Sequence, residues 1–139
     1  MDRRAALSRP LAALLLAGAA SAALACGYCV EDKIASTYDH ALVRRAIAHR
    51  HHVAFFHIDG QLAPGDATKR WLESVAASTA GVDKGSARVA VDTMTISVAF
   101  DPRINSMIAV QNRLDVKLAA RKLSLMPLRV IDGLEEKSK

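Results

Sequence analysis

Hydrophobic positions change their spacing several times along this chain, and each change marks a new element. Through residues 31–50, Ile34, Tyr38, Ala41, Leu42 and Ile47 recur every three or four places, the spacing of one face of a helix. Glu31 and Asp32 open that stretch and Arg44, Arg45, His49 and Arg50 close it, charges that suit the two ends of a helix dipole. The spacing then collapses. Val53-Ala54-Phe55-Phe56-His57-Ile58 is apolar at nearly every position and rich in β-branched and aromatic residues. Such a run predicts a short central strand covered on both sides. Val53, Phe55 and His57 would face one way, and Ala54, Phe56 and Ile58 the other.

Asp59-Gly60 breaks the strand, residues 61–65 read as a loop, and Asp66 is the expected N-cap of a helix reaching about residue 79. Trp71, Leu72, Val75 and Ala76 form its inward face, and Gly81 its stop. A hairpin follows: Val89 and Val91, then Ile96, Val98 and Phe100, alternate with smaller or polar neighbours around Asp92-Thr93-Met94. That alternation predicts two half-buried arms, and Asp101-Pro102 ends the second. A helix over residues 105–122 is expected to turn Met107, Ile108, Gln111, Leu114 and Leu118 inward. The last strand, residues 125–131, contains Pro127, which removes a ladder donor and so belongs at an edge.

The order after residue 52 is β-α-β-β-α-β. The fold class expected is therefore α+β, a ferredoxin-like βαββαβ sandwich with an additional N-terminal helix. Two helices cover one face of such a sheet and leave the other open. The N-terminal helix is expected to lie across that second face and hide Val53 and Phe55, or alternatively Phe56. The competing cover is a second copy in a homodimer.

Before residue 26 the pattern is of another kind. Arg3, Arg4 and Arg9 lead into an uncharged Leu- and Ala-rich run that ends Ala23-Leu24-Ala25. This reads as a secretory signal peptide, too short for a retained membrane span, and it implies a periplasmic or secreted protein. Leu24-Ala25-Cys26 also resembles a bacterial lipobox, with Ala23 where a larger apolar residue is usual, so a lipid anchor at Cys26 stays open. The chain then divides into a signal peptide (1–25), a Cys-x-x-Cys segment with the N-terminal helix (26–52), the βαββαβ domain (53–132) and a polar tail (133–139). The leader holds three arginines and one aspartate, so removing it lowers the net charge from +5 to +3. The remaining charge is spread thinly, without the basic blocks and interleaved aromatics of a nucleic-acid surface.

Residues 53–131 resemble the heavy-metal-associated domain family, the small copper-chaperone and P-type ATPase metal-binding modules. The resemblance is carried by Gly81-Val82, Val89-Ala90-Val91-Asp92 and Ile96-Ser97-Val98-Ala99-Phe100-Asp101-Pro102. It implies the ferredoxin-like fold and a history of metal handling. That family binds its ion through a Cys-x-x-Cys in the loop after the first strand. Here the loop is Asp59-Gly60-Gln61-Leu62-Ala63-Pro64, without cysteine, so those ligands have no counterpart.

The only thiol pair is Cys26-Gly27-Tyr28-Cys29, ahead of the first helix. Two intervening residues let both sulfurs meet one soft ion such as Cu(I) or Zn, close a small disulfide, or exchange with another thiol. Zn normally takes four ligands, which would require histidines or a second chain. His49, His51 and His52 are the imidazoles nearest in sequence to the end of that helix, so Cys26, Cys29, His49, His51 and His52 form the candidate metal set. His57 stands apart on the central strand, as a semi-buried histidine or a site residue. No hydrolase, zinc-protease, phosphate-loop or calcium-loop motif is found, and the aspartates fall at turns and element ends. Three readings remain: a soft-metal protein serving an envelope partner, a non-catalytic interaction module, and a thiol-disulfide protein. Enzymatic catalysis has the least support.

Overall fold

The computed structural model describes residues 29–133. The stretch expected to be a signal peptide (1–25), Cys26 and residues 134–139 of the expected polar tail lie outside the described residues. Strand β1 (His52–Asp59) occupies the middle of a four-stranded antiparallel sheet, between β3 (Thr95–Phe100) and the edge strand β4 (Ser124–Ile131). The other edge is β2 (Arg88–Ala90), so the order is β2-β3-β1-β4. Pro127 sits on the edge strand beside a register shift between Phe55 and Phe56 of β1, an irregularity that accommodates a residue unable to donate.

Because side chains alternate along β1, its apolar run feeds two cores. Ala54, Phe56 and Ile58 join Ile96, Val98 and Phe100 under helices α3 (Asp66–Ala77) and α4 (Met107–Leu118). Leu72, Val75 and Ala76 come from α3; Val110, Leu114 and Leu118 come from α4. On the opposite face, Val53, Phe55 and Ala99 lie under Ile34, Leu42, Val43 and Ala46. Phe55 is 1% exposed and Phe56 0%, so the two faces are equally dry.

The N-terminal cover is two helices, not the single one expected over residues 31–50. They are α1 (Val30–Thr37) and α2 (His40–Ala48). Tyr38 and Asp39 are extended between them, and the Asp39 carboxylate accepts from the Leu42 backbone N–H at 3.0 Å, capping α2. Tyr38 instead lays its ring parallel to Phe55, with centroids 6.4 Å apart. The break lets α1 run across the strands and α2 turn back over Val53.

Three other expectations change. Thr95, Ser97 and Ala99 are as buried as their apolar neighbours, so β3 is not half-exposed. Their small side chains admit α1, and Ser97 Oγ donates to the Thr37 carbonyl at 3.4 Å. Ile108 is 63% exposed, because the inward row of α4 is Val110, Leu114 and Leu118, with Gln111 donating to the Leu125 carbonyl at 3.0 Å. Finally, Gly65 rather than Asp66 holds the N-cap position of α3, and that helix ends on Ser78, before Gly81.

Candidate functional site

Cys29 is the N-cap residue of α1, with an exposed free thiol. Its carbonyl accepts from the Lys33 backbone N–H at 3.0 Å, so the first turn ties Cys29 directly to Lys33. Helix α1 is held at this level of the sheet by polar contacts to three strands or turns. Glu31 pairs with Arg129 of β4, Lys33 reaches His57 of β1, and Ser36 Oγ lies 2.7 Å from Thr93 Oγ1 in the β2–β3 turn. Beyond the break, Asp39 Oδ2 accepts from Arg88 Nε of β2 at 3.0 Å. Cys29 is thus held over the β4–β1 side of the second face.

His49, His51 and His52 stand at the other end of β1. Three to five strand residues separate His52 from the level of α1, about 10–17 Å at the usual rise. Each is differently engaged. His49 closes α2 and is exposed, its ring 6.2 Å from that of His51. His51 Nδ1 lies 2.5 Å from Asp83 Oδ2, and its Nε2 lies 3.6 Å from Asp101 Oδ2. His52 turns the opposite way, with Nε2 2.9 Å from Asp132 Oδ1 and its ring edge-on to Phe100. That approach is within ion-pair reach but not aligned as a hydrogen bond. Adjacent residues in an extended chain point apart, so His51 and His52 serve as separate ties from the α2–β1 junction to other elements.

The histidine at the α1 end is His57. It is half-buried, and Lys33 Nζ donates to its Nδ1 at 2.7 Å and reaches the Thr93 carbonyl at 3.4 Å. An ammonium donor on Nδ1 leaves the imidazole proton on Nε2. Burial, and then the neighbouring Lys33 charge, push the His57 pKa below its ordinary 6.5. Directly across the ladder is Met126, half exposed on the edge strand. Sequence spacing could not reveal Lys33 or Met126 as neighbours of His57, because both contacts depend on tertiary placement. Among the described residues no group of three or more His, Cys, Asp or Glu side chains is arranged to hold a metal ion.

Two acid-side dependences follow. His57 has a lower pKa folded than unfolded, so its stabilising contribution is complete above 6.5 and is lost as pH falls below that value. The melting temperature of His57→Gln should therefore fall less between pH 7.5 and 5 than that of the parent; parallel curves would contradict the buried neutral imidazole. Asp101 accepts from the Arg103 side chain and backbone N–H, each at 2.9 Å, and this holds its carboxyl down at about 2. Its contribution is present above the ordinary 3.8 and is lost as pH falls from there toward about 2. Asp101→Asn should flatten thermal stability across that window.

Among the described residues no helix is long and apolar enough to cross a membrane. No protein-family model matches the chain, and no curated protein matches it.

Proposed function

We propose that this chain is an exported soft-metal protein that takes Cu(I), or less favourably Zn, through Cys26 and Cys29 and presents it to a metal-handling partner in the envelope. In this reading the framework is ferredoxin-like and akin to heavy-metal-associated domains. Support comes from the order β2-β3-β1-β4 with α3 and α4 together on one face. The observation that carries the reading is Cys29: an exposed thiol at the N-cap position of a helix that is itself tied to the sheet by Glu31, Lys33 and Ser36. Cys26 precedes it by three residues, close enough for both sulfurs to reach one ion. Two thiolates suffice for Cu(I), so the affinity does not need His49, His51 or His52.

The test is titration of reduced, processed protein with Cu(I) against a coloured competing chelator. One equivalent should bind, Cys26→Ser/Cys29→Ser should abolish it, and His49→Asn/His51→Asn/His52→Asn should weaken it by less than about tenfold. An unchanged titration in the double serine variant would remove the metal reading.

A second reading, a non-catalytic interaction module, is favoured by a separate observation: three of the surface cavities lie along one open sheet edge. A thiol-disulfide role would instead require reversible oxidation of the Cys26–Cys29 pair at a potential suited to exchange.

A further inference from the structure

Among the described residues strand β2 is hydrogen-bonded only to β3, and no described strand lies along its outer backbone edge. Such an edge offers a row of donors and acceptors to any extended chain of matching shape. Here it also forms the floor of a trough. Cavities of about 280, 470 and 320 Å³ follow one another along residues 85–92, and adjacent ones share Glu73 with Arg88, or Lys69 with Val89. One wall is a stripe of α3 at helical spacing: Asp66, Lys69, Glu73 and Ala77. The other wall, in the middle, is the break between α1 and α2 at Tyr38, Asp39 and His40. A strand laid here would have covers on both faces.

The charges select what could lie there. Arg88 is already paired with Asp39 within the trough, and Asp83 is engaged by His51. Among the ion pairs of the described residues none involves Asp66, Glu73, Asp92 or Lys69, which leaves three carboxylates against one ammonium. This acidic strip lies on a chain whose overall charge is +5. Edge-to-edge pairing with a second copy would set acidic strip against acidic strip, and like charges across an interface oppose association. A basic segment meets no such barrier.

We propose that the β2 edge is a strand-addition site that takes an extended, basic segment of a partner protein as a fifth strand. Backbone pairing along Arg88–Ala90 supplies the binding, and alternate side chains supply the choice of partner. Lysine or arginine at every second position faces Asp66 and Glu73, while the positions between lie toward Tyr38, which is 44% exposed. The site is independent of the thiols and does not rest on the metal reading.

The test uses the full processed chain and a short peptide alternating lysine and valine, with two controls: glutamate in place of lysine, and the lysine peptide N-methylated on alternate backbone amides. The lysine peptide should bind and slow amide exchange at those amides of Arg88–Ala90 that point away from β3, and neither control should do so. Asp66→Lys, at an exposed position that does not threaten folding, should weaken binding about tenfold, and Glu73→Gln should weaken it less. No binding of the lysine peptide, equal binding of the glutamate peptide, undiminished binding by Asp66→Lys, or protection appearing on β4 instead would each overturn the proposal. Self-association that protects the same β2 amides would overturn the assignment of a basic partner.

Discussion

Phe55→Ala is expected to destabilise the protein by about 3–5 kcal/mol, as much as Phe56→Ala. The equality is the informative part. In a bare four-stranded sheet with two helices, one of these rings would face water and its truncation would be nearly neutral. Here Phe55 is 1% exposed, enclosed by Ile34, Leu42, Val43 and Ala46 from the two N-terminal helices and stacked under Tyr38. Phe56 is 0% exposed between α3 and α4. Both deletions leave a ring-sized void in a close-packed layer. Urea unfolding of the two variants measures the comparison. A loss of under about 1 kcal/mol for Phe55→Ala alone would mean that the N-terminal layer does not bury it in solution.

Gly60→Ala is expected to be the most damaging glycine substitution, at about 2–4 kcal/mol. Gly60 follows β1 with φ +119, a conformation that strains any side chain. A Cβ there would also fall 2.8 Å from the Lys122 carbonyl oxygen and 2.8 Å from Leu123 Cδ2. The carbonyl cannot readily retreat. Lys122 is itself left-handed, φ 58, where the short 3₁₀ turn after α4 swings into β4. Gly65 separates the two effects, since its φ is +105 but no atom of the described residues lies within 4 Å of a Cβ there. Gly65→Ala should show the backbone strain alone, about 1–3 kcal/mol, and the excess in Gly60→Ala measures the collision. Equal losses at both positions would show that the Lys122 carbonyl and Leu123 yield to the added methyl group.

The central strand was legible because residues 53–58 are apolar on both faces, a pattern few surface elements could bear. The second cover could be anticipated from the same residues, since Val53 and Phe55 required something to lie over them. The edge position of β4 followed from Pro127. What escaped sequence reading has physical causes. The break at Tyr38-Asp39 hides inside an unbroken helical spacing, because Tyr38 fits an apolar stripe equally well when extended and stacked on Phe55. The alternation of Thr95, Ser97 and Ala99 with larger residues looks like solvent exposure, although it is the room that α1 requires.

The candidate site was less legible than the fold. His49, His51 and His52 are grouped in sequence, yet the carboxylates that engage His51 and His52 come from Asp83, Asp101 and Asp132 on three separate segments. Cys29 instead shares its end of the molecule with Lys33 and His57. The β2 trough had no sequence signal at all, since it exists only once α3, β2 and the α1–α2 break are brought side by side.

The central claim is that α1 and α2 form one cooperative body with the sheet and so hold Cys29 in place. Native-state amide hydrogen exchange tests it most directly. The amides of Ile34 and Thr37 in α1, and of Val43, Ala46 and Ile47 in α2, should open with nearly the same free energy as those of Phe55 and Phe56, and respond in parallel to added denaturant. Exchange of the α1 or α2 amides through a separate, low-energy opening, with β1 still protected, would contradict it.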